Sequence, residues 1–399
     1  MLQAHDWTKV REALNAAARP IAEGAQAARI QAQQAAKKSH VFPGAVLLVG
    51  RGGDILYQQA VGCRSMVPSV SPMHEDTVFD VSSLTKVMIT VTLAMQLVDR
   101  GLLDIDRRLS HIVQTFGTHG KERMTIRHLL AHCSGYPATA PFYKQIVKAD
   151  SAERAGFMTS RGAAEQIYQD IFRAKLENLP GKVTKYSDIG FILLGNALET
   201  LNGAHLDKLA QRDVIGPLSL RSTGYIDLAV LRRKQLEPVS EAIAPTADCP
   251  WRGRILCGEV HDDNAWAMGG VAPHAGIFST ARDVHLFATE LINCYHGRGS
   301  LIARDTVKRF WTVDSTVPDS TWALGWDTPT IGHSSSGKHF SAGSVGHLGF
   351  SGCSLWIDPL RELDVVLLSN RIHPSVHNNT IQTFRPLIHD LVMEALHFN

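Results

Sequence analysis

Strand-like segments occur at both ends of this 399-residue chain, and the region between them has a mostly helical pattern. Near the N-terminus, AVLLVG at 45–50 is followed by a Gly-rich turn and a second segment at 55–61, which is typical of a β-hairpin. Near the C-terminus, short apolar segments at 345–349, 353–358 and 363–369 are separated by turn residues, which favours antiparallel pairing. The layout predicts an α+β fold, with an antiparallel sheet built from both chain ends, flanking helices and an inserted helical region.

We expect three sections along the chain. Residues 1–80 should form an N-terminal helix over about 6–38, interrupted near Pro20 and Gly24, and the first strands of an α/β lobe. Residues 81–268 should form a mostly helical lobe broken by Gly and Pro. Residues 269–399 should complete the α/β lobe and end in an amphipathic helix over about 383–397.

The composition indicates a globular protein, since 44% of the residues are hydrophobic, 20% are charged and the net charge is only +2. Such a charge gives no reason to expect binding to nucleic acid or to an anionic membrane. The longest apolar run, at 87–98, is well short of the roughly twenty residues that span a bilayer. The N-terminus shows no secretory pattern, and the six cysteines are scattered without a CxxC pair. We therefore expect a cytoplasmic protein with reduced thiols.

Most common catalytic and metal-binding signatures are absent from the sequence, including GxSxG, HExxH and the P-loop motif. His128 and His132 have the i,i+4 spacing of a metal-binding helix face, but no third ligand is evident. The segment at 261–263, His-Asp-Asp, also has the chemistry of a metal site, although a turn with local hydrogen bonds is favoured. We expect no metal.

The motif S-x-x-K occurs twice, and its context separates the two copies. Ser335 and Lys338 lie in a Gly/Ser-rich stretch that indicates a loop, whereas Ser83 and Lys86 lie at the start of a predicted buried helix over 84–99. The three-residue spacing puts serine and lysine on one helix face. The helix N-terminus should make the lysine a better base and leave the Ser83 amide free to bind an oxyanion. The alternative is an N-cap serine with a solvated lysine one turn later.

Two further segments carry groups that suit acyl transfer. Tyr186 precedes an apolar run, where its hydroxyl could share a proton with the serine–lysine pair. His347 and Gly349 fall in a predicted strand, where the glycine would let a substrate approach the backbone and the Phe350 amide could be a second oxyanion donor. The alternatives are a core tyrosine with a hydrated hydroxyl and a histidine that caps a turn.

The order and spacing of these motifs resemble those of the serine β-lactamase and penicillin-recognising superfamily. The chain is similar to the branch that contains class C β-lactamases, D-alanyl-D-alanine carboxypeptidases and related esterases. The resemblance runs from about Pro43 to the C-terminus and makes the two histidines at 128 and 132 structural. It rests on S-L-T-K at 83–86, TIRHLLAHCSG at 125–135, Y-S-D at 186–188, Gly325-Trp326, and H-L-G at 347–349.

The resemblance implies a mechanism. Ser83 attacks a carbonyl, Lys86 and Tyr186 exchange its proton, and the Ser83 and Phe350 amides hold the oxyanion. Tyr186 then protonates the leaving group and activates water. No metal or organic cofactor is needed. Trp326, together with Trp251 and Trp266, is a candidate wall of the substrate pocket.

Two positions depart from the pattern of that superfamily. Asp188 stands where β-lactamases and carboxypeptidases usually have Asn, and an ionised Asp can only accept hydrogen bonds. It could pair with Lys86 or bind a cationic substrate amine. His347 stands where β-lactamases have Lys, and a neutral imidazole pairs more weakly with a substrate carboxylate. Efficient β-lactam hydrolysis is therefore not expected.

The segments at 260–265, 274–280 and 370–374 are similar to serine hydrolases often found beside or fused to cell-wall glycosidases. We therefore expect a serine hydrolase that cleaves a small ester or amide through an acyl-enzyme on Ser83. It would be a carboxylesterase, or a peptidase or amidase for D-amino-acid or muropeptide fragments. The alternatives are a weak β-lactamase and a non-catalytic scaffold or ligand sensor. The sequence predicts no oligomeric state.

Overall fold

The computed structural model describes residues 5–20, 40–152, 156–238 and 240–398. The helix expected over 6–38 is observed as Thr8–Ala17, and residues 21–39 lie outside the described part. The strands are β1 (Gly44–Arg51), β2 (Asp54–Ser65), β3 (Ser71–Pro72), β4 (Phe79–Asp80), β5 (Gly224–Tyr225), β6 (Asp248–Cys249), β7 (Arg254–Ile255), β8 (Ile277–Ser279), β9 (Val345–Leu348), β10 (Ser354–Asp358) and β11 (Leu363–Ser369).

The described helices surround the sheet and fill the region between the chain ends. A π-helical segment, Lys86–Val91, runs directly into α2, and a second, Gln211–Ile215, follows α7. The helices are α1 (Thr8–Ala17), α2 (Thr92–Asp99), α3 (Ile126–Leu130), α4 (Tyr143–Ala152), α5 (Arg161–Arg173), α6 (Asp188–Asn202), α7 (Leu206–Ala210), α8 (Leu228–Lys234), α9 (Asp263–Ala267), α10 (Ala281–Tyr295), α11 (Arg304–Phe310) and α12 (Ile381–Ala395).

The main sheet joins the two ends of the chain. Among the described residues its order is β3-β2-β1-β11-β10-β9, and every neighbouring pair is antiparallel. Strand β1 pairs on one side with its hairpin partner β2 and on the other with β11, where Leu47 lies opposite Leu367. The α+β class and the sheet built from both ends are confirmed. The section boundaries at 80 and 268 stay predictions.

Strand β1 is apolar along nearly its whole length because helices cover both faces of the sheet. Side chains alternate between the faces of a strand, so successive residues enter different cores. Leu47 packs in the cluster that contains residues of α1 and α12, whereas Val46 and Leu48 pack in the larger cluster that contains α10. Each fully buried aliphatic side chain of this kind contributes about 1.5–3 kcal/mol.

The helix expected over 84–99 begins with a turn at Ser82 and Ser83 and continues as the π-helical segment and α2. Every residue of the π-helical segment is buried. The helix expected over 383–397 is observed as α12. Within the described ranges, no helix has the length and apolar character needed to cross a membrane. All six cysteines are free thiols.

Candidate active site

The backbone ahead of Ser83 is held in an unusual conformation. Ser82 has a φ of +50°, in the left-handed region that non-glycine residues rarely adopt. Its amide donates to Asp80 Oδ1 at 2.9 Å, and its hydroxyl accepts from the Ser351 amide at 3.2 Å. Such conformations persist where the surroundings fix them, and they occur often at functional sites. The turn presents Ser83 to the main cavity.

Lys86 contacts Ser83 and is completely buried. Its Nζ donates to Ser83 Oγ at 3.0 Å, to Asp188 Oδ1 at 2.6 Å and to the His274 carbonyl at 2.9 Å. An ammonium has three donors, so all of them are used. The alternative of a solvated lysine one turn after an N-cap serine is therefore wrong. Of the two partners expected for Asp188, the structure shows Lys86.

The charge state of Lys86 differs from the expectation for a helix N-terminus. Burial lowers its pKa, but the Asp188 carboxylate and the Tyr186 hydroxyl outweigh burial, and the pKa is raised. The pKa of Tyr186 is also raised, because burial outweighs the nearby Lys86 ammonium. The resting site therefore holds an ammonium and a neutral phenol. The expectation that the helix end makes Lys86 a better base is corrected by the ion pair.

Tyr186 lies beside Lys86, two residues before α6, which begins at Asp188, the last residue of the tyrosine motif. The Ser187 hydroxyl caps that helix by accepting from the Gly190 amide at 3.3 Å. The Tyr186 ring centroid lies 4.9 Å from Lys86 Nζ and 4.6 Å from the His132 ring. The neighbouring Lys86 and Ser83 side chains each lower the pKa of the Tyr186 hydroxyl, although burial outweighs them. The structure thus brings together the residues that the sequence placed a hundred positions apart.

The two histidines of the i,i+4 pair have different structural contacts. His128 Nδ1 accepts from the Thr125 amide at 3.0 Å and completes the cap of α3. His132 Nδ1 accepts from the Ser187 amide at 3.2 Å and packs against Tyr186. Within the described residues, no group of three or more His, Cys, Asp or Glu side chains is placed to hold a metal ion.

The two amides expected to bind an oxyanion are both unused. In the described part of the chain, neither the Ser83 nor the Phe350 N–H donates a hydrogen bond. The turn that carries Phe350 begins at Gly349, where an added Cβ would lie 2.7 Å from the Val81 carbonyl oxygen and 3.2 Å from Cys353 Cβ. Only glycine fits this approach of β9 to the serine turn. The oxyanion role of the two amides stays a prediction.

His347 lines the cavity as a neutral imidazole. Its side chain is buried, Nδ1 hydrogen-bonds to the Leu348 carbonyl at 3.0 Å, and Nε2 has no partner among the described residues. Burial and the Lys86 ammonium lower its pKa to about 3. The strand position that carries Lys in β-lactamases therefore contributes no positive charge here.

A cavity of about 560 Å³ opens at Ser83 and contains most of the residues expected from the sequence. Those that line it are Ser83, Tyr186, Asp188, His347, Gly349 and Phe350. Trp326 does not line it: its side chain is fully buried and packs edge-on against Trp311 at 5.8 Å. The prediction of Trp326 as a pocket wall is wrong, and Trp322, four residues earlier, takes that place.

Three other expected features are also located. Trp251 and Trp266 stand outside the lining and pack against each other at 5.3 Å. Asp262 forms local bonds, because it caps α9 through the Ala265 amide at 2.8 Å and contacts His274 at 2.9 Å. Ser335, of the second S-x-x-K motif, lies away from the cavity and accepts from the Trp356 indole at 3.2 Å.

The side chains of the lining that the sequence analysis missed include Trp322, Asp327, Arg371 and Arg385. Arg371 lies in a segment that resembles a family motif, but nothing in its spacing indicates a cavity position. Arg385 lies on α12, where its position on the inner face could be inferred from the helical period alone. Such a period does not distinguish a core position from a cavity position.

A buried serine–lysine contact at the start of a central helix, beside an antiparallel sheet, defines a serine hydrolase of the penicillin-recognising type. The family model described as Beta-lactamase matches residues 27–385. The chain belongs to this family.

Two curated relatives have names that indicate amide hydrolysis. A putative D-alanyl-D-alanine carboxypeptidase of Escherichia coli K12 is 30% identical over 84% of this chain and 80% of its own length. An N-acetylmuramyl-L-alanine amidase of Bacillus subtilis 168 is 32% identical over 84% of this chain and 78% of its own length. The family and these relatives support a serine hydrolase.

Solved structures show the same fold. EstCE1, described as a hydrolase with promiscuous acyltransferase activity, aligns with a TM-score of 0.67 and 21% identity over 92% of this chain and 97% of its own. An octameric penicillin-binding protein homologue from Pyrococcus abyssi aligns with a TM-score of 0.65 and 18% identity over 93% and 77%. At these identities the likeness shows the fold alone.

Proposed function

We propose that this hydrolase cleaves an amide bond in a small cell-wall fragment, a muropeptide or a peptide that contains D-amino acids, through an acyl-enzyme on Ser83. The observation that carries the proposal is the buried contact of Lys86 with both Ser83 and Asp188 at the floor of the cavity. The two curated relatives named above support an amide as the substrate class, because both names describe cleavage of an amide bond.

The first step forms the acyl-enzyme. Ser83 Oγ bonds to the substrate carbonyl carbon, and its proton passes to the Tyr186 oxygen while the Tyr186 hydroxyl proton passes to the leaving nitrogen. The carbon–nitrogen bond then breaks, and a neutral amine leaves. The Ser83 and Phe350 amides donate to the oxyanion. This exchange leaves Tyr186 neutral, in agreement with its raised pKa.

The second step returns the enzyme to its resting state. Water attacks the acyl carbon, its proton passes to Tyr186, and the Tyr186 proton passes to Ser83 Oγ as the ester bond breaks. The product is a carboxylic acid. Lys86 stays an ammonium in both steps and donates to Ser83 Oγ, where negative charge develops.

Asp188 is the positioning residue of this scheme. It holds the Lys86 ammonium at 2.6 Å and keeps its charge in a buried place where desolvation disfavours it. An Asn at this position would offer only a neutral oxygen. Asp188 therefore stabilises the charged form of Lys86 more than the Asn of the family pattern would.

The test uses two amides, N-acetylmuramyl-L-alanyl-D-isoglutamine and a tripeptide that ends in D-Ala-D-Ala, with products identified by mass spectrometry. Wild type should cleave at least one, and Ser83→Ala should cleave neither. Cleavage by a clean Ser83→Ala preparation would contradict the nucleophile. Turnover of nitrophenyl esters by wild type without cleavage of either amide would contradict the substrate class and indicate an esterase.

A further inference from the structure

Two arginines line the cavity on the side formed by the C-terminal helix. Arg371 follows β11, and Arg385 lies within α12; each has only 6% of its surface exposed. Neither forms an ion pair with any described residue. Of the described residues that line this cavity, they are the only Lys or Arg.

Both arginines donate hydrogen bonds to neutral oxygens, and the Arg371 guanidinium also lies 5.0 Å from the centroid of the Phe350 ring. Arg385 Nη2 donates to the Gly349 carbonyl at 3.1 Å and to the Cys353 carbonyl at 2.8 Å. Arg371 donates to the Phe350 carbonyl through Nη2 and to the Asn378 carbonyl through Nη1. The buried Nε atoms of both side chains have no partner among the described residues. Backbone carbonyls orient the two guanidinium groups without neutralising them.

Two other buried cations among the described residues are paired with carboxylates. Arg252 forms ion pairs with Asp263 at 2.7 Å and Glu259 at 3.7 Å. Lys86 pairs with Asp188. Lys121 is also buried without a carboxylate, but it stands outside the cavity and its ammonium lies 5.7 Å from the Tyr136 ring.

Burying an uncompensated charge is costly, so two such charges at one cavity wall need a partner from outside. The cost is visible in Arg385, because burial and the neighbouring Arg371 lower its pKa to about 10. A guanidinium presents a planar set of donors that matches a carboxylate.

We propose that Arg371 and Arg385 form a subsite for a carboxylate of the substrate, separate from the bond that is cleaved. The inference rests on the proposed function, since the subsite shares its cavity with Ser83. It explains how a site with a neutral imidazole at His347 can still select an anionic substrate. The substrate class is then an amide fragment that carries a free carboxylate.

The same arginines also hold the turn of the second oxyanion amide, through the carbonyls of Gly349 and Phe350. A substitution can therefore slow every substrate by displacing that turn. The test must compare substrates within one variant, because a ratio of kcat/KM values cancels a general loss.

Two pairs of esters place the carboxylate on either side of the cleaved bond. The first pair is 4-nitrophenyl hemiglutarate and 4-nitrophenyl methyl glutarate; the second is 4-acetoxybenzoate and 4-acetoxybenzamide. In at least one pair, wild type should prefer the carboxylate by about tenfold or more after correction for spontaneous hydrolysis, as expected for a charged hydrogen-bonded contact. Arg371→Gln and Arg385→Gln should each lose most of this preference, whereas Arg385→Lys should keep part of it. Arg304→Gln, at an exposed position outside the cavity, is the matched control and should keep it all.

A preference within about twofold in both pairs, or one that both Gln variants retain, would overturn the subsite. Turnover that persists in Ser83→Ala would instead overturn the proposed function. If no ester is turned over, thermal unfolding in glutarate against chloride of equal ionic strength decides. Glutarate should stabilise wild type and Arg304→Gln more than Arg385→Gln, and equal stabilisation of all three would overturn the subsite.

Discussion

The two ends of the cavity differ in whether a carboxylate compensates the buried positive charge. At the serine end, Lys86 is fully buried and its charge is neutralised by Asp188 at 2.6 Å. At the C-terminal end, Arg371 and Arg385 are almost as deeply buried, and their hydrogen-bond partners among the described residues are neutral oxygens. The Lys86 charge has a carboxylate partner within the protein. The two arginines would gain a carboxylate partner only from a bound ligand. We therefore assign bond cleavage to the serine end of the cavity and substrate selection to the arginine end.

The two ends meet at the turn that begins at Gly349. The Ser351 amide of this turn donates to Ser82 Oγ beside the nucleophile, and the carbonyls of Gly349 and Phe350 accept from the arginines. One short turn therefore links the oxyanion donor to the cationic end. Substitutions at the serine end should lower kcat/KM for all substrates by the same factor. Substitutions at the arginine end should change the ratio of kcat/KM values between substrates.

After the complete loss expected for Ser83→Ala, the largest effect is that of Tyr186→Phe. Loss of the proton relay should lower kcat for the amide by about 10²–10⁴-fold, the usual size of general acid–base catalysis. The ring contact with His132 remains, so the fold should be retained. Steady-state rates on the matched ester pairs should fall by the same factor within each pair. A loss confined to the carboxylate esters would contradict the assignment of bond cleavage to the serine end and of substrate selection to the arginine end.

The next effect is that of Asp188→Asn, which makes the serine end resemble the arginine end. Without the Asp188 carboxylate, burial of the ammonium is no longer offset in the same way, so the pKa of Lys86 falls. Because the mechanism needs the ammonium, the alkaline limit of kcat/KM should move to lower pH. Asp188 is partly exposed, so the loss of unfolding free energy should be modest, about 1–3 kcal/mol. An alkaline limit that does not move would show that Lys86 does not act as the ammonium.

A smaller effect is expected at Asp327, an uncompensated carboxylate in the same lining. Burial raises its pKa to about 6. Its folded pKa lies above the unfolded value, so the stability it contributes is fully present below about pH 4 and is lost as pH rises through 6. Asp327→Asn should therefore be more stable than wild type at pH 8, by about 1–2 kcal/mol, with no such gain at pH 4. Urea unfolding at the two pH values measures this, and an equal difference at both would contradict a half-buried carboxylate with a raised pKa.

The smallest effect is that of Ser335→Ala, which tests the choice between the two S-x-x-K motifs. Its hydroxyl accepts only from the Trp356 indole among the described residues, so the cost should be about 1 kcal/mol of unfolding free energy. kcat/KM on every substrate should stay within about twofold of wild type. A large loss of turnover with the fold intact would mean that the wrong motif was chosen.

The sheet could be predicted from the sequence because its strands are apolar runs separated by short turns. The run at 45–50 is strand β1, and the run at 363–369 coincides with β11. The central helix was expected at nearly the right place, but its π-helical start was not, because nothing in the local residues indicates that geometry.

The site could be predicted only in part. Motif spacing indicated that Ser83, Lys86 and Tyr186 would meet. It could not distinguish Trp322 from Trp326, since both follow polar or small residues in one irregular segment. The sequence could not show whether Arg371 has a carboxylate partner. Such pairing depends on which side chains meet in three dimensions, and the local sequence pattern does not indicate that.

The central claim is that Ser83 is the nucleophile of this cavity, and intact-mass spectrometry tests it most directly. Wild type and Ser83→Ala would each be treated with p-nitrophenyl acetate, a β-lactam and a fluorophosphonate. We predict a stable fluorophosphonate adduct and a decaying acetyl adduct on wild type, and neither on Ser83→Ala. The same adducts on Ser83→Ala, or no adduct on wild type from any of the three reagents, would contradict the account.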